Sequence, residues 1–283
     1  MMLRIFLAVL ACMMVNGTAT AESLVERGDY LVNAVMACDG CHTPRGPGGV
    51  FVMEKRFSGG NQVWDTPEYT VKGANITPDR DTGIGTWSEA DLKRSLVDGV
   101  RPSGVPLAPQ MPFAFYRILT PHDLDAVVAY IRSANPVRNE VQTPIYKADA
   151  HAVPVPNAEK PISEDALADP VQRGFYLATI AHCMECHSRG PDGRQDYVNG
   201  WGRGGFEFKD TWGTARAVNI TSHPTAGIGK WTDAEIRRVL VEGIGRDGRK
   251  LKPPMARHVY FSRMTDQDLN AIIAWVRTLP PLE

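Results

Sequence analysis

The sequence predicts an all-α fold made of two similar halves in tandem, each with about three main helices. The first observation is a C-x-x-C-H motif at residues 38–42 that recurs at residues 183–187. The second is a series of helix-start signals and amphipathic patterns that accompanies each copy of the motif in the same order. Together they indicate a direct repeat of one helical unit within the chain.

The motif itself indicates covalent attachment of haem. Cys38 and Cys41 are three residues apart, so both thiols lie on one helical turn and can bond to the vinyl groups of one haem. His42 follows directly and is predicted to be the proximal iron ligand. A lone C-x-x-C could instead be a redox pair or half of a zinc site, but both copies here carry the histidine. The second copy supplies Cys183, Cys186 and His187, so two covalently bound haem c groups with their iron are predicted.

Residues 1–21 have the pattern of a secretory signal peptide. A positively charged start and an apolar run to Val15 precede the small-residue cleavage site at 19–21. We therefore expect cleavage before Glu22 and export to the periplasm. A lipoprotein signal with Cys12 lipidated is the alternative. No apolar run is long enough to span a bilayer, so no transmembrane span is predicted.

Three helices are predicted in the first half. Ser23 begins a capping box that opens a helix running into the first motif. Ser88 opens a second helix, which Gly99 closes. Thr120, followed by proline, opens a third helix that runs to about Ala134.

The second half repeats this order, with helix starts at Asp169, Thr232 and Thr265. We expect two domains, at residues 22–136 and 170–283. The segment between them, residues 137–169, is rich in proline and alanine and predicts an extended linker.

Two methionines are predicted to be the sixth iron ligands. Met111 and Met255 each lie in a proline-stiffened loop, 69 residues (111 − 42) and 68 residues (255 − 187) after the proximal histidines. Nearly equal spacing indicates equal roles, and His/Met ligation is typical of electron-transfer haem. The alternative is that these methionines only fill space.

Other repeated residues are candidates for contacts with the haem propionates. Trp87 and Trp231 each carry one indole N–H donor, and Asn75 and Asn219 each open a repeated Asn-Ile-Thr segment. A plain core tryptophan is the alternative for both indoles. We also expect each proximal histidine to donate its free N–H to a backbone carbonyl, in the proline-containing segments that follow the motifs.

A glycine and an aromatic residue recur in the first and last predicted helices of each half. Gly28 pairs with Tyr130, and Gly174 pairs with Trp275. This pattern resembles the class I cytochrome c fold, in which the N- and C-terminal helices cross at such a contact. The resemblance implies two tandem class I cytochrome c domains, each around one covalent haem.

A more specific resemblance covers essentially the whole chain after residue 21. The segments 75–79, 82–87 and 111–113 are similar to those of the cytochrome c subunits of periplasmic alcohol, gluconate and sorbitol dehydrogenases. This resemblance implies an electron-transfer protein with no chemistry of its own. Its donor would be a periplasmic dehydrogenase, and its acceptor a cytochrome, an oxidase or quinone.

A catalytic diheme enzyme, either a peroxidase or a sulfur-compound dehydrogenase, is the alternative. The sulfur enzymes use a cysteine at one iron, and none is spare here. No nucleic-acid partner is expected.

Charge differs between the halves. Residues 23–136 hold 11 Lys/Arg and 13 Asp/Glu (11 − 13 = −2), whereas residues 170–283 hold 16 and 12 (16 − 12 = +4). A basic rim around Met255 therefore predicts a docking face for an acidic redox partner. A solvated loop is the alternative. The rim comprises Arg246, Arg249, Lys250, Lys252, Arg257 and Arg263.

Overall fold

A computed structural model describes residues 22–210 and 213–283. The predicted signal peptide and Cys12 lie outside the described residues. The α-helices of this part are α1 Leu24–Tyr30, α2 Asp39–His42, α3 Glu89–Val97, α4 Phe113–Tyr116, α5 Pro121–Ser133, α6 Pro170–Ile180, α7 Cys183–His187, α8 Asp233–Glu242, α9 His258–Phe261 and α10 Asp266–Arg277. The strands are β1 Val63–Asp65, β2 Tyr69–Lys72, β3 Ile145–Tyr146, β4 Glu207–Asp210 and β5 Gly213–Arg216.

The all-α prediction is wrong, because the described residues form two small antiparallel sheets beside the helices. Strands β1, β2 and β3 form one sheet, and β4 pairs with β5 in the other. In β2 the alternating residues Tyr69 and Val71 are buried, as expected for a strand with one covered face. Strand β3 comes from the segment predicted to be an extended linker, and it pairs through Thr70 and Ile145.

The picture of two tandem class I cytochrome c domains, each with about three main helices, is also corrected. Buried residues of both halves belong to one continuous hydrophobic core, to which helices α1, α5, α6 and α10 all contribute. We therefore use "first repeat" for residues 22–136 and "second repeat" for residues 170–283. Both repeats bury apolar side chains against each other, so the physical unit is larger than one repeat.

The predicted helix starts follow local capping chemistry. Ser88 and Thr232 each form a full capping box with the acidic residue three positions later. Ser23 does the same at α1, but the chain after Tyr30 continues as a π-helix, Leu31–Met36, whose six residues are all buried. The predicted first helix is therefore a composite of an α-helix and a π-helix.

The chain takes the left-handed conformation directly before each motif. Ala37 has φ 57° and His182 has φ 46°, and these residues immediately precede Cys38 and Cys183. A non-glycine residue with positive φ is uncommon and strained. Ala37 ends the preceding helix, and His182 begins α7 as its N-cap, so in both repeats the chain turns sharply into the motif.

The predicted glycine–aromatic helix crossings are present in both repeats. A Cβ atom at Gly28 would lie 2.0 Å from the carbonyl oxygen of Ala126 in α5 and 2.5 Å from the Tyr130 Cβ. A Cβ at Gly174 would lie 1.9 Å from the carbonyl oxygen of Ala271 in α10. Only glycine allows the helix backbones to approach this closely.

Two reciprocal polar clusters join the repeats. The Arg27 side chain donates to Asp123 within the first repeat at 2.7 Å, and Tyr176 of the second repeat donates to the same carboxylate at 2.6 Å. The matching cluster pairs Arg173 with Asp268 at 2.5 Å and adds Tyr30 from the first repeat. The interface thus has pseudo-two-fold symmetry, because each repeat offers a tyrosine to the buried aspartate of the other.

Within the residues that the structure describes, no helix is long and apolar enough to cross a membrane.

Candidate functional site

Short helices present both C-x-x-C-H motifs. In the first repeat, Cys38 is the N-cap of α2, and its carbonyl accepts from the backbone N–H groups of Cys41 at 3.2 Å and His42 at 3.0 Å. In the second repeat, α7 spans the motif from Cys183 to its histidine. Both cysteines of each motif therefore lie on one helical turn, the spacing that attachment to a single haem requires.

None of the four motif cysteines forms a disulfide within the described residues. Burial raises the pKa of Cys38 and Cys186 to about 12, and that of Cys41 and Cys183 to about 11. The pKa of a redox-active C-x-x-C thiol is instead lowered. Residues 22–210 and 213–283 contain no cluster of three or more His, Cys, Asp or Glu side chains that could hold a metal ion.

Both motif histidines are held in the orientation that an iron ligand needs. The Nδ1–H group of His42 donates to the carbonyl of Ala74 at 2.8 Å, and that of His187 donates to the carbonyl of Val218 at 2.7 Å. Burial lowers the pKa of each ring, which favours the neutral form that binds metal. Neither Nε2 atom has a hydrogen-bond partner among the described residues, so each is available to iron. These residues fit haem c.

The backbone carbonyls that accept from His42 and His187 differ from those expected from the sequence. The expectation of a partner in the proline-containing segments after the motifs is wrong. Ala74 and Val218 lie in other loops, each directly before the repeated Asn-Ile-Thr segment. The repeated Asn-Ile-Thr segment is the sequence feature that marks the position of both carbonyls.

Asn75 and Asn219 anchor these carbonyl-bearing loops. The Asn75 side chain accepts from the backbone N–H of Thr77 at 3.0 Å and donates to the carbonyl of Val137 at 2.8 Å. The Asn219 amide donates to the carbonyl of Leu282 at 2.6 Å. Each asparagine thus ties the loop that orients the histidine to the chain beyond the last helix of its repeat. Contact with a propionate stays a prediction for both.

Trp87 and Trp231 lie just before α3 and α8 and pack against the core while partly exposed. Their backbone carbonyls accept hydrogen bonds from Arg132 and Arg277. In the described part of the chain, neither indole N–H makes a hydrogen bond, so both donors are available to a bound group. Their role toward propionates stays a prediction.

Met111 and Met255 occupy equivalent loops before α4 and α9, and both are partly buried. Met111 packs against the core, and its backbone N–H donates to Ala108 at 3.0 Å. Their role as iron ligands stays a prediction.

The predicted basic rim around Met255 is less uniform than the sequence indicated. Arg246 pairs with Glu235 at 3.0 Å, and Arg249 pairs with Asp247 at 2.5 Å. Arg257 is partly buried and points between the repeats. Part of the local positive charge is therefore neutralised or turned inward, while Lys250 remains exposed.

Comparisons with known proteins agree with the motifs. Residues 171–280 match the cytochrome c family. The chain is 29% identical over 273 residues to the fructose dehydrogenase cytochrome subunit of Gluconobacter japonicus, which covers 90% of this chain and 52% of that protein. It is 29% identical over 284 residues to the gluconate 2-dehydrogenase cytochrome c subunit of Pantoea cypripedii, covering 91% and 60%.

Another relative is matched over a larger share of its own length. It is a diheme cytochrome c-type protein of Cereibacter sphaeroides, 29% identical over 266 residues that cover 87% of this chain and 83% of that protein. By contrast, this chain spans only 52% and 60% of the two dehydrogenase subunits. The comparisons confirm the predicted resemblance to dehydrogenase cytochrome c subunits.

Proposed function

We propose that this chain, which is similar to the cytochrome c subunits of several dehydrogenases, is a periplasmic diheme cytochrome c. It accepts electrons from a partner dehydrogenase and passes them to a cytochrome, an oxidase or quinone. One observation carries the proposal: each repeat places two thiols on one helical turn, beside a histidine whose Nδ1 is fixed and whose Nε2 is unengaged. Haem c at such a site supplies a one-electron ferric/ferrous couple.

Each repeat would hold one haem with its own residues. In the first repeat, Cys38 and Cys41 would form the thioether bonds, and His42 and Met111 would ligate the iron. The carbonyl of Ala74 keeps the His42 ring in the ligating tautomer. The second repeat would use the equivalent residues Cys183, Cys186, His187 and Met255. Residues 22–136 and 170–283 are thus the proposed haem-binding repeats, joined by residues 137–169.

The names of the relatives support the proposed donor. Two of them are cytochrome subunits of fructose and gluconate dehydrogenases, so a dehydrogenase is the partner class that we propose. Export to the periplasm rests on the signal-peptide pattern of residues 1–21.

Two methionine substitutions test whether a methionine sulfur binds each iron. We expect the oxidised protein to show the weak near-infrared band of methionine sulfur bound to ferric haem. Met111→Ala and Met255→Ala should each remove about half of it, because each methionine would supply one of the two sulfur atoms bound to iron. Met53→Ala, at an exposed methionine, should leave the band unchanged. A band of full intensity in both loop variants would contradict methionine ligation.

A further inference from the structure

Arg257 of the second repeat lies between the two C-x-x-C-H segments. Its Nη2 group donates to the carbonyl of Met36 at 3.3 Å, two residues before Cys38. The same guanidinium lies 3.4 Å from Nε2 of His182, the residue directly before Cys183. One side chain thus contacts residues that lie just before both motifs.

The neighbours of Arg257 hold it in this position. Burial and the nearby Arg257 charge lower the pKa of His182, which favours the neutral ring. Its Nδ1–H then donates to the Glu185 carboxylate at 2.8 Å, and its Nε2 accepts from Arg257. On the other side, the guanidinium carbon lies 5.6 Å from the centre of the Phe261 ring. A polar chain therefore runs from Glu185 through His182 and Arg257 to the first repeat.

Arg257 lies beside both motifs at once. Its guanidinium contacts Met36, just before the first motif, and His182, just before the second. Glu185 lies within the second motif, has the opposite sign and accepts from the other ring nitrogen of His182.

This arrangement has no counterpart in the first repeat. With the offset of 144 that relates Met111 to Met255 (255 − 111), the residue equivalent to Arg257 is Phe113 (257 − 144). Phe113 is buried and apolar. Arg257 therefore lies between the two motifs without a basic equivalent in the first repeat.

We infer that Arg257 is a shared electrostatic element that raises the reduction potentials of both irons and joins the segments that carry the motifs. The inference rests on the proposed function, because it requires haem c at both motifs. Each iron gains one electron from the donor on reduction, and its site becomes more negative by one charge. A fixed cation nearby favours that reduced form, and partial burial strengthens the effect because the local dielectric constant is low. The negative charge of Glu185 should lower the reduction potentials.

Midpoint potentials of the full-length holoprotein, measured by spectroelectrochemical titration, test this inference. In Arg257→Gln, the reduction equilibrium of both haems should shift about tenfold toward the oxidised form, a fall of about 59 mV each. Arg257→Lys retains the charge and should restore most of the shift. Glu185→Gln should raise both potentials.

Arg263→Gln is the matched control. Arg263 also joins the repeats, through Asp29 at 3.4 Å, but its side chain is half exposed and contacts neither Met36 nor His182 among the described residues. Its removal should leave both potentials unchanged. A merely structural role for Arg257 would instead make the Lys variant behave like the Gln variant.

Other outcomes would overturn the inference. Potentials that do not change in Arg257→Gln, or a shift at one haem alone, would exclude a shared element. If Arg257→Gln fails to retain both haems, Glu185→Gln decides the matter, and unchanged potentials there reject the inference. A wild-type protein with fewer than two haems would reject the proposed function instead, and a haem assay on the same sample distinguishes the two failures.

Discussion

Gly174→Ala is expected to destabilise the protein by about 3 kcal/mol or more, a large share of the stability of an ordinary domain. The added Cβ would lie 1.9 Å from the carbonyl oxygen and 2.5 Å from the carbonyl carbon of Ala271. Both are backbone atoms of α10, so no side-chain rotation can relieve the overlap. Helices α6 and α10 must therefore separate, and the core between them loses its packing.

Urea unfolding of the holoprotein, followed by far-ultraviolet circular dichroism, measures this effect. Gly28→Ala should behave similarly, because its Cβ would meet the Ala126 carbonyl oxygen at 2.0 Å. Gly46→Ala is the control, since its Cβ would make only an ordinary contact of 3.5 Å with Val52. Equal stability of the Gly174 and Gly46 variants would show that the helices do not cross as described.

Asp123→Asn should also destabilise the protein, by about 3 kcal/mol, because it leaves the Arg27 guanidinium without its buried counter-ion. The Asp123 side chain is only 3% exposed, and it accepts hydrogen bonds from Arg27 and from Tyr176 of the other repeat. The substitution thus weakens a helix pair and the interface between repeats together. Asp125→Asn on the same helix is the control, since that side chain is 45% exposed and its pair with Lys93 is worth at most about 1 kcal/mol.

The effect of Asp123→Asn should depend on pH. Burial raises the pKa of Asp123, but the Arg27 hydrogen bond and charge outweigh it and hold the pKa below its ordinary value of 3.8. A carboxylate with a lowered pKa stabilises the fold fully above the unfolded pKa, and loses that contribution as pH falls through the folded value. Wild type and Asp123→Asn should therefore differ most near neutral pH and converge below about pH 4. A difference that stays constant down to pH 2 would contradict the ion pair.

Local chemistry in the sequence predicted the helix starts well. The N-caps at Ser88, Thr120, Thr232 and Thr265 depend on residues within four positions, and all are present in the structure. The glycine–aromatic helix crossings could also be predicted from the sequence, because the same pair of residues recurs in both halves.

Contacts between residues far apart in the chain could not be predicted from local sequence patterns. The Tyr30–Asp268 contact joins residues 238 positions apart, and no local pattern marks it. Strand β3 is only two residues long and lies in the segment predicted to be a linker. It forms by pairing with β2, which is far away in the sequence. The sequence likewise placed Arg257 in an exposed rim, whereas tertiary packing turns it toward Met36.

The haem content of the purified protein tests the central claim most directly. Intact-mass measurement combined with the pyridine haemochrome assay should give two covalently bound haem c groups per chain, one for each C-x-x-C-H motif. The double variant Cys183→Ala/Cys186→Ala should retain one haem, held by Cys38 and Cys41. A wild-type chain with one haem or none, or a double variant that still carries two, would contradict the account.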